Sequence, residues 1–336
     1  MRAFDSRTKG DREAVALDGL QVIRAQSTRL TDGLLDLRVA QAVPDFPLKI
    51  QIQTFSRCNA ACEMCPYPEI TGEEGFDHTR MDDALYVSLL EQMEGRGVER
   101  LSLFLMNEPL LDRRLPRWLT MARRALPETK FGLFSNGAAL SEPLLRALAE
   151  AGLDELCISV HGFEKALYER VMRKLVFERT LANLEMAVGL HAAGELQGLH
   201  LQIVTGDVPD VTATLASMPA ALEPYVVLKG FSNERTVSEV RQGLGSSPQA
   251  ERRNHDRRPL CQRPFVKLYI MTDGECVLCN CDWRRRIVLG NARETTLDAI
   301  WKGAKYAAVR RRHMRDQYLA HSICERCDYP WVVDTL

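Results

Sequence analysis

Ten cysteines in 336 residues are the groups of this sequence best suited to chemistry, and nine of them fall into two clusters. Cys58, Cys62 and Cys65 form the first; Cys261, Cys276, Cys279, Cys281, Cys324 and Cys327 form the second, near the C-terminus. Cys157 stands apart in the apolar run 156–160, where a buried, inert thiol is expected. Residues 1–9 are too charged for the apolar stretch of a secretory signal, so the expected setting is a reducing cytoplasm. Disulfides then give way to metal or redox chemistry. Three thiols at spacings of four and three residues can converge on one metal centre. A structural zinc site needs a fourth ligand, for which the nearby sequence offers His78. A cubane iron–sulfur cluster held by three thiolates instead keeps one iron open for a substrate or cofactor. Spacing alone leaves both open.

Such groups act together only if the fold gathers them. From residue 48 to about 231, short apolar or β-branched runs alternate with longer helical patterns at the spacing of βα units. Strands are predicted over 49–54, 101–105, 131–134, 156–160, 199–204 and 225–228. Between them, Leu85, Leu89, Leu90 and Met93, or Leu181, Leu184 and Val188, mark the buried stripes of helices, and Gly194 is a stop. This alternation implies a parallel sheet with helical crossovers, whose functional groups collect in the loops after the strands. Those loops carry Cys58 to Cys65, Met106-Asn107-Glu108-Pro109, Ser135-Asn136-Gly137 and His161-Gly162.

Residues 232–258 have the polar, glycine-containing composition of a linker and divide the chain into a domain over 48–231 and one over 259–336. In the second, runs 265–270 and 277–278 flank Asp273-Gly274, a hairpin signal, and a helix is expected over 296–314. Arg310-Arg311-Arg312 on it reads as a solvated face. Residues 1–47 form an N-terminal extension without evident chemistry. The composition, 46% hydrophobic and 26% charged, is that of a globular protein rather than a disordered one. A net charge of -1 and the lack of a long apolar run argue against nucleic-acid and membrane partners.

Cys-x-x-x-Cys-x-x-Cys directly after the first strand of a repeated βα domain resembles the radical S-adenosylmethionine (radical SAM) superfamily, over about residues 48–231. The resemblance implies an α/β fold, a partial (β/α)6 TIM-like barrel. It implies that Cys58, Cys62 and Cys65 hold a [4Fe–4S] cluster whose open iron chelates SAM, and that reductive cleavage yields a 5′-deoxyadenosyl radical that abstracts hydrogen. Met64 stands where the family often has an aromatic residue near adenine. Asn107 and Glu108 occupy the place of a Gly-Gly-Glu-Pro motif that receives the SAM ammonium, with both glycines replaced. Ser135 and Asn136 resemble the Thr-Asn-Gly after strand three, Ser159 lies where ribose or carboxylate is contacted, and Arg173 is placed to pair with the SAM carboxylate.

The C-terminal pattern, about residues 259–330, resembles the SPASM or twitch extension of these enzymes, a small β-hairpin plus helix iron–sulfur domain. It runs from Cys261 through a hairpin at Gly274, Cys279, Asp282-Trp283, Gly290-Asn291 and Trp301 to Cys324-x-x-Cys327. The resemblance implies one auxiliary [4Fe–4S] cluster held by Cys261, Cys279, Cys324 and Cys327, with Cys276 or Cys281 able to replace Cys279. A zinc ribbon is the alternative for this segment taken alone. The spare thiols bear on mechanism, because a free thiol can donate a hydrogen atom; Cys281 is the candidate donor, and an inert thiol in the cluster shell is its other reading. The expected enzyme dehydrogenates or epimerises a small polar natural product (sugar, nucleoside or aminoglycoside) in antibiotic biosynthesis, with Glu108, His161 or Asp282 assisting as base. An electron donor such as flavodoxin or ferredoxin is implied. The alternatives are a ribosomal-peptide maturase and, from another class, a zinc-stabilised binding protein.

Overall fold

The structure, a computed structural model, describes residues 43–74, 76, 78–205, 216–228, 260–315, 317–318 and 322–326. Residues 1–42 of the N-terminal extension, the linker 232–258 and Cys327 lie outside the described residues.

Six parallel strands lie side by side in their order of sequence: β1 (Lys49–Ile52), β2 (Arg100–Ser102), β3 (Lys130–Ser135), β4 (Glu155–Ser159), β5 (His200–Thr205) and β6 (Val226–Leu228). Helices return the chain between them: α1 (Tyr67–Ile70), α2 (Asp83–Met93), α3 (Leu115–Ala125), α4 (Glu142–Glu150), α5 (Lys165–Val171) and α6 (Phe177–Ala192). Local sequence accounts for these elements. Asp82 caps α2 by accepting the Leu85 N–H at 2.8 Å, and Leu85, Leu89, Leu90 and Met93 form its buried stripe. Tyr86 of α2 stacks on Trp118 of α3 with ring centroids 4.0 Å apart, a contact worth about 1 kcal/mol beyond the area it buries. α6 gives way at Gly194, whose φ of +74° suits glycine.

Residues 260–326 extend this same sheet. β7 (Lys267–Ile270) pairs parallel to β1 with Ile270 opposite Ile52, and β8 (Glu275–Val277) and β9 (Val288–Asn291) follow antiparallel. Among the described residues the nine-strand order is β6-β5-β4-β3-β2-β1-β7-β8-β9, with β6 and β9 outermost. The turn between β7 and β8 needs Gly274: its φ is +91°, and a Cβ there would meet Asn291 Oδ1 at 2.6 Å.

Several expected elements differ. The run 265–270 begins as one helical turn, α7 (Arg263–Val266), with Pro264 in its first turn, before becoming β7. The helix expected over 296–314 is two, α8 (Leu297–Lys302) and α9 (Ala304–Met314), parted by the extended backbone of Gly303. A Cβ at Gly303 would meet the Ala299 carbonyl oxygen at 2.8 Å, so the break depends on glycine. Arg310 is not on a solvated face. Its guanidinium lies over Trp301 at 4.0 Å and Tyr306 at 4.5 Å and donates to the carbonyls of Pro264 and Trp301. A last short helix, α10 (Ile323–Arg326), carries Cys324. No helix among the described residues is long and apolar enough to cross a membrane.

Candidate active site

The loop after β1 is held from two sides. The Tyr67 hydroxyl accepts the Cys58 N–H at 2.8 Å and donates to the Ser56 carbonyl at 3.2 Å. Across the loop, the N–H groups of Ala61 and Glu63 donate to the carbonyls of Arg173 and Val171, both at 2.8 Å. Cys58, Cys62 and Cys65 are partly buried. Burial pushes the Cys58 thiol up to about 11, and Cys62 is raised further, first by burial and then by the charges of Cys65 and Cys58. Three soft donors thus lie near enough to oppose one another's ionisation, and they give up their protons when a metal centre neutralises them. The donor set fits a cluster with three cysteinyl ligands. Among the described residues no three His, Cys, Asp or Glu side chains are drawn tightly enough together to hold a single metal ion.

A polar network joins this loop to the ends of β2 and β3. Glu108 is buried with both oxygens committed: Oε1 accepts from Ser135 Oγ at 2.7 Å and Leu110 N at 3.0 Å, and Oε2 accepts from Asn136 N at 2.7 Å. Burial raises its pKa to about 6 while those donors pull it back, so it is an anion at neutral pH. Asn136 in turn donates its amide to Asn59 Oδ1 at 2.7 Å and lies 4.0 Å from Cys58 Sγ. Glu108, Ser135, Asn136, Asn59 and Cys58 are therefore one connected chain of groups. Asn59 and Tyr67 escaped the sequence reading; their positions inside the cysteine loop and directly after it were the available signal.

Met64 is buried beside the loop, Ser159 is half-buried at the end of β4, and His161 is buried two residues later. The Arg173 side chain is exposed, and its backbone carbonyl accepts the Ala61 N–H. Among the buried side-chain atoms without hydrogen-bond partners in the described residues, Gln53 Oε1, Thr54 Oγ1, Asn107 Nδ2 and Thr205 Oγ1 lie at the carboxyl ends of β1 and β5 and in the loop after β2. Unsatisfied buried polar atoms are rare in folded proteins, and a polar ligand seated there would satisfy them. They fit a cofactor such as SAM.

In the second cysteine group, the buried guanidinium of Arg263 faces sulfur. Its Nη1 lies 3.1 Å from Cys279 Sγ, 3.5 Å from Cys281 Sγ and 2.7 Å from Asn280 Oδ1. The Cys279 thiol is held well below its usual range by hydrogen bonding from Cys281 and, against burial, by the charge of Arg263. Cys276 points elsewhere: it lies on β8, buried, with Sγ 3.8 Å from the Gly274 carbonyl, and burial pushes it up to about 12. Cys261 and Cys324 are partly exposed. Asp282 spends its oxygens on the N–H groups of Arg286 and Ile287, both at 2.9 Å. Its neighbour Trp283 meets Tyr67 edge to face, with centroids 6.2 Å apart, and packs against the cluster of Leu105 and Met106. The two cysteine groups are thus bridged by two aromatic rings. Cys157 is buried, with Sγ 3.5 Å from Glu155 Oε1.

Comparison with known proteins identifies two family domains in the chain. Residues 52–192 match the radical SAM superfamily, and residues 261–328 match the SPASM iron–sulfur cluster-binding domain. The chain is 23% identical over 280 residues to an S-adenosyl-L-methionine-dependent 2-deoxy-scyllo-inosamine dehydrogenase of Niallia circulans, covering 83% of this chain and 92% of that protein. It is 33% identical to a PqqA peptide cyclase of Xanthomonas oryzae pv. oryzae, over 129 residues that make 37% of this chain and 32% of the cyclase. Among solved structures, BtrN in complex with AdoMet and 2-DOIA superposes with a TM-score of 0.55 at 19% identity, covering 86% of this chain and 99% of BtrN. Streptococcus suis SuiB bound to the precursor peptide SuiA gives 0.60 at 14% identity, covering 90% and 76%. The structural likenesses establish the fold, and the two domains imply a [4Fe–4S] cluster, SAM and an auxiliary cluster. The chain is a radical SAM enzyme with a C-terminal SPASM domain.

Proposed function

We propose that this enzyme dehydrogenates a small polar cyclitol, aminocyclitol or sugar in antibiotic biosynthesis. The observation that carries the reading is the extent of likeness: the match to the 2-deoxy-scyllo-inosamine dehydrogenase runs through both domains, whereas the match to the peptide cyclases covers about a third of each chain. Cys58, Cys62 and Cys65 would hold the SAM cluster, and Cys261, Cys279, Cys324 and Cys327 the auxiliary one. Bound there, these groups supply a 5′-deoxyadenosyl radical for hydrogen abstraction and a sink for the second electron. Met64, Asn107, Ser135, Asn136, Ser159 and Arg173 surround SAM in this reading, and Glu108 serves it by holding the Ser135-Asn136 turn. Flavodoxin or ferredoxin is the proposed electron donor.

Placement of the spare thiols favours dehydrogenation over epimerisation. Cys276 lies in the core and Cys281 is buried against Arg263, so neither stands exposed to return a hydrogen atom to a substrate. Of the three side chains considered as base, Glu108 and Asp282 are committed to backbone and hydroxyl donors. The third, His161, is buried after β4.

The test is anaerobic incubation of the reconstituted enzyme with reductant, SAM and 2-deoxy-scyllo-inosamine, beside related sugars and nucleosides. One ketone per 5′-deoxyadenosine is expected, with substrate deuterium transferred to 5′-deoxyadenosine. An inverted alcohol carrying solvent deuterium, or turnover of a peptide alone, would overturn it.

A further inference from the structure

We propose that Arg263 sets the reduction potential of the auxiliary iron–sulfur centre, as a positioning residue that fixes a positive charge and N–H donors against its sulfur. This rests on the reading that Cys279 is one of the ligands. The geometry is specific: one guanidinium nitrogen reaches the sulfurs of Cys279 and Cys281 together, at 3.1 and 3.5 Å, and also lies 2.7 Å from Asn280 Oδ1. Arg263 is the first residue of α7, two residues after Cys261, and is itself buried. Arg310 braces this turn by donating to the Pro264 carbonyl at 2.9 Å while stacked on Trp301 and Tyr306.

A [4Fe–4S] centre bound by thiolates is a net anion, and reduction adds a further negative charge. A buried cation beside its sulfur stabilises the reduced state more than the oxidised one, and N–H donors to sulfur act in the same direction. Burial leaves this interaction weakly screened. A planar guanidinium can serve two sulfurs and an amide oxygen at once, which a lysine ammonium does less well. Arg263 should therefore raise the potential and ease acceptance of an electron.

The test uses the full chain with Cys58, Cys62 and Cys65 changed to alanine, so that only the auxiliary centre contributes after anaerobic reconstitution. About four iron atoms per chain should remain; none would overturn the ligand reading and this proposal with it. Arg263→Gln in that background is then titrated by EPR-monitored reduction. At the potential that half-reduces the parent, the reduced-to-oxidised ratio should fall at least about tenfold, or ~59 mV for one electron. Arg263→Lys, which keeps the charge, should recover part of it. A purely structural role would alter iron content or thermal stability and leave the ratio unmoved. An unchanged ratio with iron retained overturns this proposal alone, and loss of iron in both variants assigns Arg263 to assembly and overturns it as well.

Discussion

At the scale of single residues, the site depends on groups that bind other parts of the protein. The raised pKa of Glu108 means the folded chain holds its proton more tightly than the unfolded chain does. The sign follows: stability falls as pH rises from about 4.5 to about 6, by about 2 kcal/mol, and is then level. Urea midpoints of the iron-free chain at pH 4.5 and 7 should show that fall, and Glu108→Gln should flatten it; an equal slope in both proteins would contradict the assignment. Tyr67→Phe leaves the Cys58 N–H and the Ser56 carbonyl without their hydroxyl partner, a cost of about 1–3 kcal/mol. Reconstituted Tyr67→Phe should retain less iron at the first cluster, and normal loading would show that the hydroxyl is dispensable.

At the scale of elements, the turn after β3 offers a controlled comparison. Gly137 has φ +73°, and a Cβ there would lie 2.7 Å from Ile158 Cγ2; Gly194 has nearly the same φ and open space around it. Gly194→Ala should therefore cost about 1 kcal/mol from backbone conformation alone. Gly137→Ala should cost clearly more in a denaturant titration and weaken SAM binding, because the same turn presents Ser135 and Asn136. Equal losses would remove Ile158 from the account. Much of this level was legible in the sequence: all six parallel strands announce themselves as short apolar runs, and the cysteine spacing marks the loop after β1. What was hidden depends on tertiary contact. The burial of Arg310 needs Trp301 and Tyr306 folded against it, and the break at Gly303 comes from close approach to the preceding turn. Cys276 and Cys279 look alike in sequence and differ by which way β8 and the following turn direct them. That Glu108 also holds the Ser135-Asn136 turn shows only once the loops after β2 and β3 are folded together.

At the scale of the whole molecule, the SPASM segment is built into the sheet that carries the first cluster. β7 pairs with β1, Leu297 N donates to Gln92 Oε1 at 2.7 Å, Trp301 Nε1 donates to the Pro44 carbonyl at 2.8 Å, and Asp82 pairs with Arg293. A chain ending at residue 258 would expose the β1 edge and the apolar groups beneath it. It should aggregate or lack a cooperative unfolding transition, and a soluble, cooperatively folded monomer would contradict this. Such continuity would fix the spacing between two redox centres, with Tyr67 and Trp283 packed between their loops. The central claim is that both cysteine groups hold iron–sulfur clusters, and iron analysis after anaerobic reconstitution tests it most directly. The account predicts about eight iron atoms per chain, falling to about four when Cys58, Cys62 and Cys65 are alanine. About four in the parent with none left in the variant, or zinc in place of iron, would contradict it.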